Sequence, residues 1–234
     1  MTGIAREERL IVALDLPTPR EAQALVEKLA GAVRFYKVGL ELFSTDGYFE
    51  LVRWLTARGN KVFADLKLFD IPETVRRATA NLSRSGASFL TVHAHPSVLN
   101  AAAAEKGAMK ILGVTVLTSF DQGDLAEMGA TKTLEELVTD RAAATAAAGC
   151  DGVIASPHEA RKLKDRFGSR LLVVTPGIRP AEASKADQKR TMDVAQAFAA
   201  GADYIVVGRP IRDAASPRAA AESMQKTISG IFAK

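Results

Sequence analysis

Eight short apolar runs, helix-like segments between them, and a glycine shortly before most runs predict an α/β chain closed into a (β/α)8 barrel, the TIM barrel. The runs lie at 10–14, 34–38, 61–66, 89–92, 110–117, 152–155, 171–175 and 204–207. Their near-continuous Val, Ile and Leu content is that of parallel strands covered on both faces by helices. Between them, Ala22, Leu25, Val26 and Leu29 recur at helical spacing over 19–30, and Leu51, Val52 and Leu55 do so over 48–57. Gly31, Gly59, Gly86, Gly107, Gly149, Gly168 and Gly201 stand where each helix has to stop. A doubly wound open sheet is the competing architecture, and the strand count favours closure. No linker, low-complexity tract or second domain interrupts the pattern, so residues 1–234 are expected to form one barrel domain.

Composition narrows the function. The chain is 47% hydrophobic and 25% charged, as a globular protein is, and its net charge is only +4. Aromatics make up 6% and no dense Lys/Arg block occurs, which argues against nucleic-acid binding and for a basic pocket that takes a small anion. Cys150 is the sole cysteine, so neither an intrachain disulfide nor a cysteine-based zinc site is expected; beside a glycine and before a strand, it reads as packing. Residues 1–9 carry no apolar signal region and no run approaches transmembrane length, so a cytoplasmic chain with no membrane partner is expected.

In such a barrel the chemistry sits at the C-terminal ends of the strands. Asp15 ends the first strand, Lys37 the second, and Asp65, Lys67 and Asp70 the third. His93 and His95 end the fourth, Thr118 the fifth, and Ser156 follows the sixth. Gly177 and Arg179 follow the seventh strand, and Gly208 and Arg209 the eighth. Two connections are long, 119–133 and 178–190. The second carries Arg179, Lys185, Gln188, Lys189 and Arg190, which suits capture of an anion or simply a solvated surface loop.

Gly208-Arg209 is the clearest binding signal. Barrels often hold a phosphate at the loops after strands seven and eight, where glycine admits the backbone and arginine offers a planar fork; a plain turn with a solvated arginine is the alternative. His93 and His95 share a face but have no third ligand, so a hydrogen-bonded role is favoured over a metal. His158 reads as surface. No GxxxxGK[ST] loop and no GxGxxG fingerprint is present.

The reaction is therefore assigned to side chains, and the charged stretch Asp65-Leu66-Lys67-Leu68-Phe69-Asp70-Ile71-Pro72-Glu73-Thr74 is the natural candidate. By strand alternation Asp65 and Lys67 share a face, and Pro72 opens a helix. A Schiff-base lysine needs desolvation or a cationic neighbour, whereas acidic neighbours favour the ammonium form. Lys67 thus reads as a general acid serving a developing carbanion, with a solvated ion-pair cluster as the alternative.

Over nearly its whole length the sequence resembles the orotidine 5′-phosphate decarboxylase family. The resemblance runs from Val12-Ala13-Leu14-Asp15 through Asp65-Leu66-Lys67 with Asp70-Ile71-Pro72 and Thr74, Leu117-Thr118-Ser119, Thr175-Pro176-Gly177-Ile178-Arg179-Pro180 and Asp187-Gln188 to Val207-Gly208-Arg209-Pro210-Ile211. It implies decarboxylation of orotidine 5′-monophosphate to uridine 5′-monophosphate without cofactor or metal, in de novo pyrimidine synthesis. It further implies that Lys67 protonates C6, flanked by Asp65 and Asp70 and networked with Lys37. Asp15, Lys37 and Thr74 are implied at the ribose and Thr118 at the pyrimidine. Arg179, Gln188, Gly208 and Arg209 are implied at the phosphate. A homodimer with shared sites is implied too, Asp70, Ile71 and Thr74 reaching into the partner's site. Phe69 and Glu73 depart from the His and Asn usual there, as does the His93-Ala94-His95-Pro96-Ser97 turn from a more glycine-rich one. Rival readings are a magnesium-dependent phosphosugar enzyme of the same barrel (a ketogulonate-phosphate decarboxylase or hexulose-phosphate synthase) and a non-catalytic nucleotide-binding barrel.

Overall fold

A computed structural model describes residues 3–179 and 192–233. Its strands are β1 (Leu10–Ala13), β2 (Phe35–Gly39), β3 (Lys61–Leu68), β4 (Phe89–His93), β5 (Lys110–Val114), β6 (Gly152–Ile154), β7 (Leu172–Thr175) and β8 (Tyr204–Val207). All pair in parallel in sequence order, and β8 returns to β1 to close the barrel. The described helices are α1 (Pro19–Leu29), α2 (Leu40–Phe43), α3 (Tyr48–Ala57), α4 (Pro72–Ser83), α5 (Pro96–Glu105), α6 (Gln122–Glu127), α7 (Leu134–Ala147), α8 (Pro157–Phe167), α9 (Val194–Ala199), α10 (Arg209–Arg212) and α11 (Pro217–Ile231). The glycines that mark helix ends in the sequence all take positive φ.

Two stretches differ from the sequence expectation. The fifth strand ends at Val114, because at Thr115 both the N–H (3.4 Å) and the hydroxyl (2.9 Å) turn onto the Ile154 carbonyl and the ladder loosens. The 119–133 connection is not all loop. It carries α6, whose Asp121 forms a reciprocal capping box with Asp124. Six residues are too few for a helical period to register in the sequence.

Alternation along each strand makes two shells. Outward residues pack under the helices, for instance Val12, Val38, Val62 and Leu90. Inward residues fill the barrel with Ile11, Phe35, Phe63, Phe89, Leu112, Val174 and Tyr204. Phe35, Phe63, Phe89 and Tyr204 meet edge to face, with centroids 4.9 Å apart for Phe35–Phe89 and 5.2 Å for Phe89–Tyr204. Such geometry suits the ring quadrupoles, and the barrel interior is a packed plug rather than a pore.

At the strand-entry end, carboxylates tie strands together. The Asp203 carboxylate accepts the Val173 N–H at 2.8 Å and pairs with Lys164 at 2.5 Å, while Arg9 donates to the Asp203 carbonyl at 3.0 Å. Asp151 repeats the arrangement one pair of strands earlier, accepting the Ile111 N–H and the Lys106 ammonium, both at 2.9 Å. Each Asp follows a helix-ending glycine by two residues, at Gly149 and Gly201.

Candidate active site

The same alternation that stacks the aromatic plug lifts polar groups above it at the other end. Two residues beyond inward Phe35 comes Lys37, two beyond Phe63 comes Asp65, two beyond Phe89 comes Thr91, and two beyond Ala13 comes Asp15. These side chains converge. Lys37 donates to Asp15 at 2.8 Å and lies 3.4 Å from Asp65 Oδ2, while Asp65 Oδ1 faces the Lys67 ammonium at 2.9 Å. The result is an alternating chain, Asp15–Lys37–Asp65–Lys67. Burial of Asp65 disfavours its charge, but Lys37 and Lys67 outweigh that and hold the carboxyl below the usual carboxylate range. Burial likewise opposes the Lys37 charge, and Asp65 with Asp15 still holds it above the ordinary lysine value. Pairing is what makes such buried ions tolerable.

Lys67 does not reach the site by simple alternation. Ala64 pairs with Leu90, and the next pairing is Leu68 with Val92, so β3 takes four steps while β4 takes two. Within this bulge Lys67 adopts φ 48°, a left-handed conformation costly for any residue with a Cβ. Its N–H leaves the strand ladder and is donated at 3.0 Å to the hydroxyl of Thr91, which in turn donates to Asp65 at 2.9 Å.

Asp70 does not meet Lys67 within one chain. Within the chain, Lys67 is paired with Asp65 alone among the described residues; Asp70 lies exposed, its carboxylate taking its own neighbour's N–H at Ile71 (2.7 Å). The bulge turns Lys67 inward, and the chain then leaves the barrel toward α4, carrying Asp70 away. Thr74 is exposed in the first turn of α4, which Pro72 opens at N1. Phe69 and Ile71 stand out into solvent, 66% and 67% exposed. Phe69 covers His93 and His95 with centroids 5.2 and 6.4 Å away. Burial, with Arg141 and Lys67 adding, lowers the His93 pKa, so its ring is held neutral. His95 bonds Ser97 at 2.9 Å, and among the described residues no group of three or more His, Cys, Asp or Glu is placed to hold a metal ion.

Opposite the ion chain, the ends of β7 and β8 form the other wall. Gly177, at φ 82°, makes the turn after β7, and Gly208 leads into α10. A cavity of about 470 Å³ lies between, lined by Asp15, Lys37, Asp65 and Lys67 on one side and by Arg179, Gly208 and Arg209 on the other, with Leu117 and Thr118 joining them. That volume is in the range of small-molecule sites. Ile178 bridges Met192, and the Arg179 N–H donates to the Met192 carbonyl at 3.0 Å. Gln188, Lys185, Lys189 and Arg190 lie outside the described residues.

The structure thus brings Asp15, Lys37, Asp65, Lys67, Thr118, Arg179, Gly208 and Arg209 to one cavity, and leaves Asp70, Ile71 and Thr74 outside it in the single chain. Sequence reasoning missed two participants. Thr91 was readable only as a polar residue on the inward face of an apolar strand. Arg212 lines the cavity and donates to the Asp15 carbonyl at 2.5 Å, three residues after Arg209 on α10. Cys150 is buried, its Sγ 3.7 Å from the Leu99 carbonyl, and burial pushes the thiol up to about 12.

A closed parallel barrel with paired ammonium and carboxylate groups facing an arginine-lined wall across one cavity defines a barrel enzyme built for a small anionic molecule. The model of the orotidine 5′-phosphate decarboxylase / HUMPS family matches residues 8–224, and the chain belongs to that family. Among curated relatives, an orotidine 5′-phosphate decarboxylase of Methylococcus capsulatus is 56% identical over 97% of this chain and 94% of its own length. One of Rhodopseudomonas palustris is 50% identical over 97% and 96%. The crystal structure of orotidine 5′-phosphate decarboxylase from Lactobacillus acidophilus superposes with a TM-score of 0.84 at 36% identity, covering 94% of this chain and 99% of that one.

Proposed function

We propose that this chain removes CO2 from orotidine 5′-monophosphate to give uridine 5′-monophosphate, a step of pyrimidine synthesis, with side chains alone carrying the chemistry. The observation that carries this reading is the Lys67 ammonium, held 2.9 Å from a buried, ionised Asp65 and facing the cavity. In the reaction the bond from C6 to the carboxylate carbon breaks, its electron pair stays on C6, and CO2 departs. The ring π-system lies at right angles to that pair and cannot absorb it, so a fixed positive charge at C6 is the available stabiliser. Lys67 supplies the charge and then the proton, leaving a neutral amine for solvent to reprotonate. Lys37 and Asp65 fix its position, and no reorganisation is needed as charge develops.

The rest of the cavity suits the rest of the nucleotide. Asp15 and Lys37 offer an acceptor and a donor to the ribose hydroxyls, and Thr118 faces the pyrimidine. Arg179, Arg209 and the Gly208 backbone receive the phosphate, with Gln188 joining them. Binding energy from that remote dianion can be spent on ordering the reacting end.

Asp70, Ile71 and Thr74 fit this scheme in a homodimer, where they complete the site of the partner subunit. Their exposure, beside solvent-facing Phe69, supports that reading. A second carboxylate then reaches Lys67 from the other chain. We also infer a cytoplasmic enzyme, from the part its family plays in pyrimidine synthesis.

The test is a continuous ultraviolet assay of orotate loss with chelator present. Undiminished turnover supports metal-free decarboxylation, and loss restored by magnesium would transfer the chain to the phosphosugar branch. Mixing inactive Asp70→Ala and Lys67→Ala chains tests the shared site. Exchange into heterodimers restores one intact site in two, and no recovery after demonstrated exchange would refute the dimer scheme.

A further inference from the structure

We propose that Thr91 is a positioning residue of this site: its buried hydroxyl holds Lys67 in the bulge and turns Asp65 toward the Lys67 ammonium. The inference rests on Lys67 acting as proton donor, and adds how the donor is kept in place.

Four observations converge on it. Thr91 is fully buried on β4, on the inward face between Phe89 and His93. The β3–β4 pairing skips from Ala64–Leu90 to Leu68–Val92, so the backbone of Lys67 falls where the ladder offers it no partner strand carbonyl. Lys67 sits at φ 48°, a conformation that persists only where surrounding contacts impose it. The contact that imposes it is the Thr91 hydroxyl, which accepts the Lys67 N–H at 3.0 Å.

The same hydroxyl spends its proton on Asp65 Oδ1 at 2.9 Å. That bond fixes the rotation of the carboxylate. Oδ1 is aimed at Lys67 and Oδ2 at Lys37, 2.9 and 3.4 Å away. One oxygen atom therefore sets the backbone of the ammonium's residue and the orientation of its counter-ion. Threonine suits this use because a β-branched side chain is stiff at χ1, so the hydroxyl itself does not wander. Thr91 is neutral, and replacing it leaves the charges of the site unchanged. At neutral pH, whatever its loss does to turnover comes from placement.

The test compares Thr91→Val, the same shape without the hydroxyl, with Thr91→Ser, the hydroxyl without the branch. In Thr91→Val, kcat falls roughly 10- to 100-fold, as small misplacements of reacting groups do, while KM changes little. The acid limb of its kcat–pH profile moves to higher pH, because Asp65 has lost a donor. Thr91→Ser recovers most of the kcat. In the unaltered enzyme the Lys67 amide exchanges slowly with solvent deuterium, a reading that needs no variant to fold. Lys67→Ala runs alongside: if it retains turnover, the proton-donor reading fails whatever Thr91 does. If Lys67→Ala is inactive while Thr91→Val keeps wild-type kcat and pH profile, or if the Lys67 amide exchanges freely, the positioning proposal alone is overturned. So too if Thr91→Ser, folded, is as slow as Thr91→Val.

Discussion

The two ends of the barrel use the same residue types for opposite ends. At the strand-entry end, Asp203 and Asp151 each take one backbone N–H and one lysine, at distances between 2.5 and 2.9 Å, and stitch neighbouring strands. At the exit end, Asp65 takes no backbone donor that would stitch strands; its oxygens go to Lys37, Lys67 and Thr91. The first kind of carboxylate satisfies groups that folding has desolvated. The second gathers desolvated charge that folding alone does not require. The difference teaches that burial and pairing do not by themselves separate structure from function. What separates them is whether the partner is main chain or another side chain facing a cavity.

Substitutions at the two ends should therefore part stability from turnover. The largest effect is expected for Lys67→Ala, with turnover down at least about a thousandfold and a thermal midpoint within a few degrees of the parent. A collapse of the midpoint would erase the contrast. Asp203→Ala should do the reverse, since it takes the acceptor from the Val173 N–H and the counter-ion from Lys164, which keeps only main-chain carbonyls. A loss of about 3 kcal/mol, or some six to twelve degrees in Tm for a chain of this size, is expected with kcat at 25 °C unchanged. Calorimetry and the ultraviolet assay together decide it. Arg209→Ala belongs to the exit end but to binding rather than to the proton step. KM should rise by roughly 10- to 150-fold, the equivalent of about 1.5–3 kcal/mol, with kcat less affected; an unchanged KM would move the phosphate elsewhere.

The smallest effect is a slope with pH. His93 has its folded pKa depressed below the ordinary 6.5, so it folds neutral. Its contribution is then complete above the unfolded value and is lost as pH falls from there toward the folded one. Stability of the parent should decline over that acidic window more steeply than that of His93→Gln. Parallel curves in urea titrations at several pH values would mean the ring is not held neutral.

Much of this architecture was legible in the sequence. The strand runs, the glycine stops and the Pro72 helix start are local signals, and each has a local cause. The cavity residues Asp15, Lys37, Asp65 and Arg209 could be placed because a barrel sends strand ends to one face. The bulge was not legible, since it is a mismatch between two strands and neither carries its mark alone. Thr91 was hidden for the same reason, its role existing only against that mismatch. Asp70 is close to Lys67 in sequence, but the turn into α4 carries it outward within one chain, so the place the resemblance gives it at a partner's site is one a single chain does not display.

Lys67 sits in a conformation that glycine would adopt without strain. Removing its side chain altogether should thus relieve the backbone, and Lys67→Gly should be more stable than Lys67→Ala by about 1 kcal/mol. The backbone at this position thus favours glycine while the chemistry needs the ammonium, so local strain is carried at the residue proposed to donate the proton.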